Sequence, residues 1–126
     1  MLEGDNLEFE YHNLGNDYYK IGDFQRAIDH YTKAIKMKPD MLESYFNRGL
    51  AYSRLHEFDK ALEDHTRAIQ LDPNLVEAYY FRGLIFEYMK DFDNAIGDYN
   101  VVLKLKPDYH EVREQRDIAL RKKIST

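Results

Sequence analysis

Apolar positions along the chain fall into two alternating kinds of helical stripe. Tyr45, Gly49, Tyr52 and Leu55 stand three or four residues apart, which places them on one face of a helix. After His56-Glu57 a second stripe runs through Phe58, Ala61, Leu62, His65, Ala68 and Ile69. The same pair of stripes lies upstream and downstream. Tyr11, Tyr45, Tyr79; Gly15, Gly49, Gly83; Phe24, Phe58, Phe92; Ala27, Ala61, Ala95; and Pro39, Pro73, Pro107 recur at a period of 34 residues. Conservative matches fill the rest: Tyr18, Tyr52, Phe86; Ile28, Leu62, Ile96; Ile35, Ile69, Leu103. Each repeat therefore reads as a helical hairpin, an A helix followed by a B helix.

The pattern predicts helices over about 7–21, 24–37, 41–55, 58–71, 75–89, 92–105 and 109–123. Each repeat proline ends a B helix, because the residue before proline is pushed out of the α region. Asp40, Asn74 and Asp108 follow as expected N-caps, with Glu43, Glu77 and Glu111 three residues on, the spacing of a reciprocal capping box; Asn6 holds the matching place before the first helix. Glycine inside a helix costs roughly 0.5–1 kcal/mol against alanine, so Gly49 and its equivalents imply close helix packing. The last helix carries Arg113 and Asp117 in the Tyr and Gly places. With Val112, Ile118, Ala119 and Leu120 as its apolar surface, it reads as a polar-backed cap on the stack. Arg121, Lys122 and Lys123 suit its C-terminus electrostatically.

Composition narrows the function classes. A chain of 126 residues suffices for one domain with a modest core. Cysteine is absent, which excludes disulfides and thiolate metal sites and fits a reducing, cytoplasmic setting. The opening residues show no basic stretch leading into an apolar run, so no secretory leader is expected, and no window reaches the ~18 apolar residues of a membrane span. A net charge of −5 with interspersed signs argues against a nucleic-acid partner. The composition is rich in rings, with 11 Tyr and 7 Phe but no Trp.

The recurring aromatic, small residue, aromatic, Ala, aromatic, Ala, Pro pattern between Glu8 and Tyr109 resembles the tetratricopeptide repeat family. Departures are His65, where the other copies have Tyr31 and Tyr99, and Val102, where they have Ala34 and Ala68. The resemblance implies an all-α fold of seven helices in a right-handed superhelix. Its repeats cover about 8–41, 42–75 and 76–109, with a capping helix at about 109–124, in a single domain spanning 1–126. It also implies a concave groove, lined by the A helices, that holds a segment of another protein.

In each A helix the stripe beside the core face is the expected groove lining. The first repeat offers His12, Asn13, Asn16, Tyr19 and Lys20; the second offers Phe46, Asn47, Leu50 and Arg54; the third offers Tyr80, Phe81, Leu84 and Tyr88. This face runs from polar to aromatic. Asn13, Asn16 and Asn47 are mediocre helix formers that carry the donors and acceptors to pair with an extended peptide backbone. The expected partner is thus a protein or peptide segment with apolar or aromatic side chains, bound without cofactor or metal. The polar last helix favours a monomer, with end-to-end stacking through helix 1 as the alternative.

Some family members bind acidic chaperone tails with a clamp that reads Lys, Asn, Asn, Lys, Arg. The matching positions here are His12, Asn16, Asn47, Glu77 and Phe81, so both asparagines are kept while the cations are weakened, lost or reversed. Like charge at Glu77 disfavours an acidic tail. Arg48 and Arg82 recur with Asp64 and Asp98, whereas the first repeat has Leu14 and His30, so hairpin geometry predicts two structural ion pairs. Nothing supports an enzyme. The five histidines (12, 30, 56, 65 and 110) lack metal-binding spacing, there is no glycine-rich phosphate loop, and His65 reads as a core histidine.

Overall fold

The computed structural model describes residues 6–125. Among them the helices are α1 (Leu7–Lys20), α2 (Phe24–Met37), α3 (Leu42–Arg54), α4 (Phe58–Leu71), α5 (Val76–Tyr88), α6 (Phe92–Leu105) and α7 (His110–Ile124). The chain divides into two compact units, Met1–Leu71 and Asp72–Thr126. In the first, α1 packs on α2, α2 on α3 and α3 on α4; in the second, α5 packs on α6 and α6 on α7.

Each hairpin closes around a ring seated on a glycine. A Cβ placed on Gly15 would lie 2.6 Å from Cδ1 and Cε1 of Tyr31, one on Gly49 would lie 2.9 Å from Cε1 of His65, and one on Gly83 would lie 2.7 Å from Cε1 of Tyr99. Those rings are buried, beside the fully buried Ala27, Ala61 and Ala95 of the same B helices. His65 occupies the slot of the two tyrosines and shares their packing role. In the second unit Ala95, Tyr99, Val102, Val112 and Ala119 form one buried cluster, onto which Tyr80, Leu84 and Tyr109 pack from the side.

The turns inside the hairpins share one design. Gly22, His56 and Lys90 have left-handed φ of 82°, 59° and 64°. Around each, the next residue's N–H reaches back five positions, as in Asp23 to the Tyr18 oxygen (2.9 Å), Glu57 to Tyr52 (2.9 Å) and Asp91 to Phe86 (2.8 Å). This is a Schellman closure, which satisfies the last carbonyls of the A helix. The adjoining Asp23 and Asp91 then cap α2 and α6, accepting from the N–H of Arg26 and Asn94.

The capping box expected after each proline is not formed. Pro39-Asp40, and likewise Pro73-Asn74 and Pro107-Asp108, are the central pair of a β-turn, closed by Met41 N–H to Lys38 (3.1 Å), Leu75 to Asp72 (3.1 Å) and Tyr109 to Lys106 (3.1 Å). Proline at the second turn position and Asp or Asn at the third suit such a turn. The helix starts one residue later, with Met41, Leu75 and Tyr109 as N-caps whose side chains make no capping bond. Asn6 caps α1 without a side-chain bond as well. Glu43, Glu77 and Glu111 lie in the first turns, where they complement the helix dipole. The repeat tyrosine ties the turn down: Tyr45 OH donates to the Pro39 oxygen and Tyr79 OH to that of Pro73, both at 2.9 Å. In α7, Arg113 makes the same tie to Pro107.

Two guanidinium–carboxylate forks clamp the hairpins. Arg48 Nε and Nη2 donate to Asp64 at 2.8 and 2.7 Å, and Arg82 engages Asp98 at the same distances. Arg48 also donates to Thr32 on α2 (3.1 Å), so it joins three helices of the first unit. Burial pushes Asp64 and Asp98 above the usual carboxylate range while their arginines hold them down. The fork geometry is what makes this burial tolerable.

Helix propensity alone predicts that any glycine-to-alanine change in a helix stabilises it. Here Gly97→Ala, with nothing within 4 Å of the new methyl, is expected to add about 0.5–1 kcal/mol. Gly83→Ala drives a methyl into Tyr99 and is expected to cost about 1–3 kcal/mol. Urea unfolding of the two variants reads the opposite signs. Lys90→Gly relieves left-handed strain that outweighs the added chain entropy, and its urea midpoint is expected to rise by an amount equivalent to about 0.5 kcal/mol.

Candidate functional site

Two recesses, one in each unit, collect much of the expected groove lining. The first, about 220 Å³, is lined by Asn16, Tyr19, Lys20, Tyr31, Asn47 and Leu50. The helical rows of α1 and α3 supply most of it, and Tyr31 enters from α2. At its centre the Asn16 carboxamide oxygen accepts from Tyr31 OH (2.6 Å) and from Asn47 Nδ2 (3.0 Å). With that oxygen engaged by protein donors, and with Asn47 also hydrogen-bonded to Tyr31, the Asn16 NH₂ group is left to serve an acceptor in the recess. Lys20, exposed at the edge, adds a cation. Burial, with Tyr19 alongside, pushes the Tyr31 phenol well above its ordinary value, so it stays a donor. The recess therefore offers hydrogen-bond donors between a tyrosine ring and a leucine, a setting for a peptide carbonyl or carboxylate with an apolar neighbour.

The second recess, also about 220 Å³, is lined by Leu84, Glu87, Tyr88, Gln115 and Lys122. Glu87 is its polar centre. Its Oε1 accepts from Tyr99 OH (2.8 Å) and Gln115 Nε2 (2.7 Å), and Oε2 accepts from Lys122 Nζ (3.1 Å). Burial works to raise this carboxyl, but Gln115, Tyr99 and Lys122 outweigh it and hold Glu87 below its ordinary value. Burial and the Glu87 charge together push the Tyr99 phenol far up.

The remaining expected residues are placed differently. His12 is half-buried, with Nδ1 2.8 Å from Ser44 Oγ and its ring 5.5 Å from that of Tyr31; burial pushes it below its ordinary value, with Glu43 opposing. Phe46 sets its edge against His65 (5.3 Å). Tyr80 stacks on Tyr109 (6.1 Å) and meets Phe81 edge-on (5.5 Å). Arg54 lies 4.6 Å over the Phe24 ring, and Asn13 is exposed; neither lines either of these two recesses. Sequence reasoning missed Tyr31 as a recess wall and missed Glu87, Gln115 and Lys122. Glu87 had one signal, a carboxylate where the other repeats carry Tyr19 and Ser53.

Tetratricopeptide repeat profiles match residues 42–75 and 76–109, and a further profile of the same repeat matches 15–56. The chain belongs to the tetratricopeptide repeat family. No match is found among curated proteins. Among solved structures it is similar to the first TPR of Spaghetti (RPAP3) bound to the HSP90 peptide SRMEEVD, with 28% identity over 99% of this chain and 98% of that one and a TM-score of 0.88. It is similar to the first TPR domain of human RPAP3, at 30% identity over 97% and 96% of the two chains and a TM-score of 0.87. It also resembles the second TPR domain of human RPAP3 in complex with the HSP70 peptide SGPTIEEVD, at 26% identity over 92% and 98% and a TM-score of 0.85.

Because the folded-state pKa of Glu87 is depressed, its contribution to stability is present above the unfolded value near 4.5 and is lost as pH falls through the folded value. Glu87→Gln is expected to lower stability at pH 7 by about 1–3 kcal/mol. The gap between variant and wild type is expected to narrow at pH 3.5, read by urea unfolding at the two pH values.

Proposed function

We propose that the chain is a non-catalytic interaction module that holds a peptide segment of a partner protein against its A helices. The observation that carries this reading is the Asn16–Asn47 pair. Its carboxamides are locked together and to Tyr31, and both residues line a recess with apolar walls. A donor set fixed in advance loses little entropy on binding, which favours a ligand backbone with its own unpaired oxygens. Tyr19 and Leu50 in the first unit and Leu84 and Tyr88 in the second add apolar and aromatic surface. The preferred guest is therefore an extended segment with apolar or aromatic side chains, bound at micromolar strength, about −8 kcal/mol.

A second reading, an acidic C-terminal tail, has specific support. Two of the similar structures hold peptides ending in EEVD, and Asn16 and Asn47 present donors suited to a carboxylate. Against it stand the clamp positions His12, Glu77 and Phe81. A half-buried imidazole held neutral by burial adds no positive charge. Glu77 would repel an acidic tail.

The two readings separate on titration of ¹⁵N-labelled protein with SRMEEVD and with an uncharged, aromatic-rich heptapeptide. The aromatic peptide is expected to shift the side-chain amide signals of Asn16 and Asn47 at micromolar concentration, with Asn47→Ala weakening it about tenfold. Tight binding of SRMEEVD with a silent aromatic peptide would move the assignment to the acidic tail. Silence from both would overturn the peptide-binding reading.

A further inference from the structure

Glu87 is a carboxylate that the fold buries at the floor of an open recess. It is 8% exposed, while Lys122, the cation paired with it, keeps 53% of its side chain in solvent. Oε1 is engaged by the neutral donors Tyr99 and Gln115, which fix the carboxylate in place; Oε2 is engaged by Lys122. The walls are Leu84 and the exposed ring of Tyr88. An apolar wall, an aromatic face and a fixed negative charge together match the parts of a long basic side chain, a methylene stem ending in a cation.

We propose that this recess accepts a lysine or arginine side chain of the bound peptide, which displaces Lys122 from Glu87. The inference rests on the peptide-binding reading and adds a charge preference to it. Lys122 acts as a tethered stand-in. It keeps the buried carboxylate paired when no guest is present, which removes the penalty of an uncompensated charge. Its bond is the weak part of the network, since a pair with one half-exposed lysine contributes little and exchanges readily. An incoming guanidinium gains more than Lys122 does, because besides donating to the vacated Oε2 it can stack on Tyr88. The other occupants of Glu87 are neutral donors held within the fold, so the exchange leaves the core network intact. The net charge of −5 favours approach of a basic segment.

The test uses the whole chain and a matched pair of probes. Ac-Ala-Phe-Arg-Phe-Ala-NH₂ is compared with its citrulline twin, which keeps the size and removes the charge. Wild type is expected to bind the arginine peptide about tenfold more tightly, with shifts at the Gln115 side-chain amide. Lys122→Met removes the internal competitor and is expected to tighten the arginine peptide by about threefold or more, leaving the citrulline peptide unchanged. Glu87→Gln is expected to erase the preference. Should that variant fail to fold, the citrulline comparison and Lys122→Met still decide, because both leave Glu87 in place. Equal affinity for the two peptides, or an unchanged or weakened arginine peptide with Lys122→Met, overturns the proposal. Equal affinity together with shifts at Asn16 and Asn47 would leave peptide binding standing, whereas silence from both peptides in both units would remove that reading too.

Discussion

A ring seated on a glycine sets the distance between the two helices of every hairpin, and the other features of each unit depend on that approach. With Tyr31, His65 and Tyr99 lying where a Cβ would be, the facing helices come close enough for short side chains to reach across. Asn16 meets Tyr31 OH, and the Arg48 and Arg82 forks close on Asp64 and Asp98. If the helices were spaced for an alanine or larger residue, the carboxamide and carboxylate partners would lose contact, and buried charge without a partner is strongly destabilising. The packing and the polar network are thus one arrangement. The ring sets the spacing, and the hydrogen bonds fix the register.

How much of this the sequence discloses depends on whether the signal is a period or a single position. Helix bounds agree with the stripes to within a residue because three copies reinforce one another. The arginine–aspartate forks were legible for a related reason: both partners appear together in repeats two and three and are missing together from the first. The capping box misled because Asp40, Asn74 and Asp108 suit two roles, N-cap and third position of a β-turn, and the preceding proline decides for the turn. A better signal lay one residue on, where Met41, Leu75 and Tyr109 are all apolar and help to anchor the helix start.

The recesses were only half legible. Counting along α1 and α3 located Asn16, Tyr19, Lys20, Asn47 and Leu50, because residues on one helix face stay together whatever packs behind them. The same counting placed Tyr80 in the groove, yet α7 offers Tyr109 as a stacking partner and draws that ring into packing. The Glu87 network escaped altogether. It ties the repeat ring Tyr99 of α6 to Glu87 of α5 and to Gln115 and Lys122 of α7, and these last three obey no repeat, α7 departing most from the consensus. Function that resides in departures from a repeat leaves no periodic trace to count.

α7 shows how such departures can be conservative and inventive at once. Arg113 replaces the repeat tyrosine but keeps its tie to the turn carbonyl, so the helix is still anchored at Pro107. Asp117 replaces the repeat glycine and removes the seat for a ring, so another helix could not pack on α7 by the mode used in the three hairpins. Released from that duty, α7 is free in its other positions. Gln115 and Lys122 turn toward Glu87 and convert the end of a packing helix into one wall of a charged recess. The two units consequently offer unlike chemistry from the same architecture, a neutral donor pair with a nearby lysine in one and a buried acid in the other. Each unit therefore selects its own guest chemistry, since an anion suited to the donors of the first would be repelled by the carboxylate of the second.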